Sequence, residues 1–234
     1  MTSKSILAVI PARGGSKGIP GKNIKTVGGI TLVAHAARSA IEAGCFAALL
    51  LSTDDEAIAA AGRSAGLDVP FLRPAHLATD NASSLEMWQH AWRAAEEYYA
   101  MRFDFSALLQ PTSPLRNGKD ILATLHPVLE GKASSAMTVT PTPGHFTPHK
   151  AKLITQYGTI VHYMNDCDVK SLRQDIPPMY FPNGYCYAVT RQQLLDDGVI
   201  IGPDCAAIVI DNPVVNIDDP WELEFAEFLW SIRQ

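Results

Sequence analysis

Apolar residues fall into short runs separated by polar turns, and their spacing alternates between strand-like and helix-like. Ile6 to Ile10 is continuously apolar, as expected for a strand covered on both faces. Leu32 to Ala43 reads as a helix, Ala47 to Ser52 as the next strand, and Asp55 to Ala65 as an Ala-rich helix ending at Gly66. Asp68 to Leu72 reads as a third short strand. Ser83-Ser84-Leu85-Glu86 contains an S-x-x-E capping box that opens a helix to about Tyr99. Ala107 to Gln110 is a fourth strand, Asn117 caps a helix to about Leu129, and Ala136 to Val139 is a fifth strand. This order predicts an α/β fold, a mostly parallel sheet with helices on both faces.

The pattern breaks after Pro141. Residues 141–182 are rich in Pro, His and Tyr and lack helical periodicity, which suggests an inserted β-arm or dimerisation element. Regularity returns with strands at Tyr185 to Val189 and Ala206 to Ile210. Asp219-Pro220-Trp221-Glu222 then starts a final helix, with Asp at the N-cap, Pro at N1 and Glu at N3. A single domain spanning residues 1–234, with 141–182 as its arm, is the expected organisation.

Composition narrows the class. The chain is 47% hydrophobic and 18% charged, which suits a globular protein rather than a disordered one. A net charge of −5 gives no reason to expect nucleic acid or an anionic membrane as partner. No apolar run is long enough for a membrane span or a signal-peptide core. Cys45, Cys167, Cys186 and Cys205 lack zinc-ligand spacing and fit free thiols in the cytoplasm. Charge is unevenly placed: residues 1–41 hold six Lys and Arg and no acid, whereas residues 196–234 hold nine acids and one base. That asymmetry points to a polyanion site near the N-terminus and a carboxylate or metal site near the C-terminus.

The stretch Ile10-Pro-Ala-Arg-Gly-Gly-Ser-Lys-Gly-Ile-Pro-Gly-Lys-Asn23 follows the first strand, at the sheet edge where open α/β folds bind ligands. Gly14, Gly15 and Gly18 let the backbone approach an anion, and Arg13, Lys17 and Lys22 supply charge for a triphosphate. Two familiar phosphate motifs fail. In the Walker A spacing Ser16 stands where Gly is required and Asn23 follows the lysine; in G-x-G-x-x-G, Ser16 takes the second glycine position.

This stretch resembles the signature of the acylneuraminate cytidylyltransferases, which make CMP-sialic acids; the related CMP-Kdo synthetases carry a looser version. The resemblance extends over almost the whole chain, through Leu72-Arg73-Pro74, Leu77-Ala78-Thr79-Asp80, Leu108-Leu-Gln-Pro-Thr-Ser-Pro-Leu-Arg116 and Pro182-Asn183-Gly184. It implies a three-layer, Rossmann-like nucleotidyltransferase fold and a homodimer. It implies transfer of CMP from CTP to the anomeric hydroxyl of a nine-carbon 2-keto sugar acid, with Mg²⁺ and release of pyrophosphate.

By that resemblance the triphosphate lies on Ala12, Gly14, Gly15 and Ser16, with Arg13 and Lys22 as catalytic cations. Asn23, Arg73 and Ser84 contact the nucleotide; Gln110, Lys150, Arg173, Gln174 and Tyr187 contact the sugar acid. Ser83 and Ser84 equally suit plain helix capping, and Arg116 reads as a surface charge at a helix start. Asn216-Ile217-Asp218 sits where the family shows a D-I-D pair, making Asp218 the metal ligand with Asn216 beside it. Asn at 216 is a departure, as are Phe181 and Val199-Ile200 near the expected acyl pocket. Kdo-type, pseudaminic or legionaminic acceptors, and a non-catalytic CTP-binding homologue, stay open as alternatives.

Overall fold

The computed structural model describes residues 5–164 and 177–233. Its centre is the first strand, β1 (Ile6–Pro11), whose side chains alternate between two layers. Ile6, Ala8 and Ile10 pack with α1 (Leu32–Ala43), α2 (Glu56–Ser64) and α4 (Gly118–Leu129). Leu7 and Val9 pack with α3 (Ser84–Tyr99) on the opposite face. Helix α3 buries Met87, Trp88, Ala91, Trp92 and Ala95, one stripe at helical spacing. The Trp88 indole N–H is satisfied by Ser106 Oγ at 2.9 Å. A third cluster joins α5 (Pro220–Ser231) to Ile19, Val27 and Tyr185. The result is the expected three-layer α/β arrangement.

The remaining strands are β2 (Thr26–Val27), β3 (Ile30–Thr31), β4 (Ala48–Ser52), β5 (Phe105–Leu108), β6 (Ser135–Pro141), β7 (Lys152–Ile154), β8 (Ile160–His162), β9 (Tyr180–Thr190) and β10 (Ala206–Val209). Five of them join β1 in one six-stranded sheet, in the order β10-β6-β9-β5-β1-β4. Strand β1 runs parallel to β4 and β5, β10 runs parallel to β6, and β9 is antiparallel between β5 and β6. The connection after β1 leads to β4 on one side, and that after β5 leads to β6 on the other. The sheet therefore has a switch point between β1 and β5, the position where such sheets open a ligand crevice.

Several expectations are refined. Residues 68–72 do not make a strand: only Asp68 bridges to Leu50. Pro70 has no N–H to continue a ladder, and Pro74 then leads into a 3-10 turn at Ala75–Leu77. Strand β9 starts earlier than expected and carries a bulge, since Val139 pairs with Pro182 and Met137 with Tyr187. The hairpin β2–β3 and a π-helical turn at Gln192–Asp196 were not anticipated. Gly28 and Gly29 at the hairpin tip, with φ of 58° and 77°, were a usable signal.

Beyond Pro141, β7 and β8 form an antiparallel hairpin outside the main sheet. The arm's base is a pair: Pro141 of β6 lies opposite Tyr180 of β9.

Candidate active site

The phosphate loop leaves β1 at the switch point and is fixed from three sides. Ala12 N–H donates to the Ser52 carbonyl (2.9 Å), Gly14 N–H to Asp54 Oδ1 (2.9 Å), and the buried Asn23 amide to the Arg13 carbonyl (2.9 Å). Asn23 thus holds the loop's shape from below. Lys22 and Asn23 lie on a 3-10 turn, Lys22–Ile24, entered through Gly21 in the left-handed region (φ 64°). Gly18 is required by a close approach: a Cβ there would stand 2.3 Å from the Asp218 backbone oxygen.

This approach brings the two ends of the chain together over a cleft of about 620 Å³. Lys22 Nζ donates to the Ile217 carbonyl and to Asp218 Oδ1, both at 2.8 Å, with its side chain only 13% exposed. Asp218 is 68% exposed and faces the cleft, as do Asn216 and Asp219, whereas Ile217 is fully buried. Asn216 and Asp218 thus alternate with the buried Ile217, and Asp219 also reaches the cleft while starting α5. The Glu222 carboxylate accepts from the N–H groups of Asp218 (2.7 Å) and Asp219 (2.9 Å), fixing this turn.

Ser83 and Ser84 stand at the start of α3. Ser83 Oγ accepts from Leu85 N–H and caps α3, while both serines line the cleft. Arg73 is 6% exposed; its Nε donates to Ser52 Oγ (3.0 Å) and its Nη2 to the Ser52 carbonyl (2.5 Å). Burial pushes its pKa down to about 10, so it stays cationic at neutral pH. Arg13 Nη2 and Lys17 Nζ both contact Asp80, at 2.9 and 2.6 Å. Asp80 lies in the loop before α3, and nothing local in the sequence marks it as the partner of these cations.

Gln110 and Thr112 follow β5 and form the floor beside β1. The bulge in β9 presses Gly184 (φ 75°) against them: a Cβ there would stand 2.4 Å from Gln110 Oε1 and 2.8 Å from Ser113 Oγ. Ser113 Oγ approaches the Asn183 carbonyl (3.1 Å) and Asn216 Oδ1 (3.4 Å). Asn183 shapes the bulge, accepting from Tyr185 N–H and donating to Thr140 Oγ1. Tyr187 does not line this cleft; it packs on the α3 face opposite Leu108, and burial raises its hydroxyl pKa.

Arg116 is a correction to the sequence reading. It is a buried guanidinium, donating to Ser39 Oγ (3.0 Å) and to the carbonyls of Gln110 (3.0 Å) and Tyr185 (2.7 Å). It ties α1, the Gln110 turn and the bulge together. Lys150 is exposed at the end of a 3-10 turn in the arm and does not line the cleft. Arg173 and Gln174 lie outside the described residues.

A glycine-rich cationic loop at a sheet switch point, meeting oxygen donors in one cleft, is the arrangement with which open α/β folds bind anionic ligands. The sequence profile of the cytidylyltransferase family matches residues 7–191, and the chain belongs to that family. It is 30% identical to the CMP-N,N'-diacetyllegionaminic acid synthase of Legionella pneumophila, over 98% of this chain and 97% of that protein. It is 32% identical to the N-acylneuraminate cytidylyltransferase of Escherichia coli, over 94% of this chain and 51% of that protein. Among solved structures, a CMP:2-keto-3-deoxy-manno-octonic acid synthetase in complex with CTP superposes with a TM-score of 0.72. The match covers 99% of this chain and all of the other at 16% identity, a likeness of fold. The resemblance read from the loop is borne out at the level of family and fold. No described helix is long and apolar enough to cross a membrane.

Proposed function

We propose that this cytidylyltransferase moves CMP from CTP to the anomeric hydroxyl of a nine-carbon, sialic-acid-like 2-keto sugar acid. The observation that carries the reading is the cleft itself, where the loop cations Arg13, Lys17 and Lys22 share one lining with Gln110, Asn216 and Asp218. The triphosphate lies along Ala12 to Lys22, over Gly14, Gly15 and Ser16, with the nucleoside toward Asn23, Arg73 and Ser84. The acceptor oxygen attacks the α-phosphorus, the bond to the β-phosphate oxygen breaks, and pyrophosphate leaves. Arg13 and Lys22 stabilise charge on the phosphoryl oxygens, and Gln110 orients the acid. Positioning and charge neutralisation supply the rate.

Asp218 and Asn216 offer two oxygen donors at the cleft, and no group of three or more His, Cys, Asp or Glu among the described residues is placed to hold an ion. Such a donor set fits Mg²⁺ shared with substrate phosphates rather than enclosed by protein. Bound there, Mg²⁺ would neutralise phosphate charge. Asp218→Ala is expected to shift the Mg²⁺ dependence of turnover upward by about tenfold or more. An unchanged titration would remove Asp218 from this role.

A homodimer through the arm accompanies this reading. The arm exposes Phe146, Ile154, Tyr157 and Ile160, the last three to 77%, 82% and 68%, a patch suited to burial against another chain. Lys150, exposed on the arm, would then act on the acid at a neighbouring site. A cytoplasmic setting suits the free thiols of Cys45, Cys186 and Cys205.

Pyrophosphate release from CTP and Mg²⁺ with a panel of acids tests the function: N-acetylneuraminic, deaminated neuraminic, legionaminic, pseudaminic and Kdo. Release with a nine-carbon acid is expected. The second reading, a legionaminic-type acceptor, is favoured by the end-to-end match to the Legionella synthase. Release with Kdo alone would overturn the nine-carbon assignment, and CTP binding without any release would favour a binding homologue.

A further inference from the structure

The cations of the phosphate loop do not wait unpaired for a polyanion. Asp80 spends both carboxylate oxygens on them, Oδ1 on Arg13 (2.9 Å) and Oδ2 on Lys17 (2.6 Å). All three side chains line the cleft, and Asp80 is 40% exposed with Lys17 at 79%, so the cluster faces solvent rather than the core. Asp80 belongs to a different wall from the loop: it follows the 3-10 turn of Ala75–Leu77 and precedes the Ser83 cap of α3. The hydrogen bond from Lys17 is the foremost cause holding its carboxyl below the usual carboxylate range, joined by that from Arg13. The carboxylate thus has the charge and the two-oxygen geometry of a phosphate edge, at the place where a phosphate would meet Arg13.

We propose that Asp80 is the resident counter-ion of the loop, a positioning residue that orients Arg13 and Lys17 across the cleft and is exchanged for the incoming polyanion. Entry of a triphosphate requires both cations to leave Asp80. Departure of pyrophosphate is aided by the return of Asp80 to them. The residue therefore sets the loop's affinity for polyanions in both directions, weakening substrate and leaving group alike. Exposed ion pairs are weak individually, so the exchange is reversible on this scale. The inference rests on the proposed function for naming the incoming polyanion as a nucleoside triphosphate and the departing one as pyrophosphate.

Calorimetric titration of wild type, Asp80→Asn and Asp80→Glu with pyrophosphate, CTP and cytidine tests it. Asp80→Asn is expected to bind pyrophosphate and CTP roughly three- to tenfold tighter than wild type, a gain that shrinks as salt rises. Cytidine, which has no phosphate, is expected to bind all three alike, and Asp80→Glu to resemble wild type. In turnover, Asp80→Asn lowers KM for CTP and kcat together, because pyrophosphate leaves more slowly. Pyrophosphate binding by Asp80→Asn equal to or weaker than wild type, or absent from both, overturns the proposal. Wild type that binds pyrophosphate but not CTP would instead defeat the cytidine-nucleotide reading, and the pyrophosphate comparison would still decide the role of Asp80.

Discussion

Lys22→Met is expected to lower kcat/KM for CTP by about 10²- to 10³-fold, the scale for removing a preorganised donor from a developing oxyanion. Lys22 reaches the cleft from the 3-10 turn of the loop and is anchored by the Ile217 carbonyl and Asp218. Its ammonium is thereby held in place before any ligand arrives, so little reorganisation is needed during transfer. Methionine keeps the apolar stem and removes only the charge and its donors. The Ile217 carbonyl loses a partner, which costs about 1 kcal/mol, or roughly 2–4 °C in the unfolding midpoint. Steady-state pyrophosphate release and a thermal melt separate the two effects. A loss below tenfold in kcat/KM, with the fold retained, would take Lys22 out of the catalytic group.

Arg116→Met produces the other large effect, and it falls on stability. The guanidinium is the shared donor to the Gln110 and Tyr185 carbonyls and to Ser39. Burial pushes its pKa down to about 10, so it holds its charge at neutral pH against a desolvation cost. Methionine relieves that cost but strands two carbonyls, each worth about 1–3 kcal/mol when unsatisfied. A net loss of about 2–4 kcal/mol is expected, seen as an unfolding midpoint lower by roughly 4–16 °C. If Gln110 orients the acid as proposed, KM for the acid should rise more than KM for CTP, because Arg116 holds the Gln110 carbonyl. A midpoint within a degree or two of wild type would contradict the tie described here.

Legibility in the sequence followed the range of the interactions. Helices α1, α3 and α4 and strand β1 were readable because a buried stripe and its capping residue lie within one segment. The Asp219-Pro220-Trp221-Glu222 start of α5 was readable for the same reason, its capping carboxylate being Glu222. The phosphate loop was readable because its glycines and cations are contiguous. Asp80 was not, since its partners Arg13 and Lys17 belong to another wall. Arg116 follows a Pro-flanked polar turn, and only the folded chain reveals that Ser39 and Tyr185 enclose it. The antiparallel placement of β9 and its bulge depend on pairing with β5 and β6, which strand periodicity does not encode. Residues 68–72 misled because an apolar pattern outweighed the missing N–H of Pro70.

The pairing of Pro141 with Tyr180 has a consequence for the history of such chains. The insertion enters and leaves the domain at adjacent points, so the sheet closes the loop whatever hangs beyond it. Lengthening a chain segment whose ends are already joined costs only about 0.6 kcal/mol per doubling of its length. The segment beyond that neck can therefore be exchanged as a cassette, and with it the exposed apolar surface of Ile154, Tyr157 and Ile160. The same ribbon continues inward to Gly184, so re-tilting the segment beyond the neck also nudges the turn that carries Gln110 and Ser113. The arm and the floor of the cleft are thus mechanically linked through one strand.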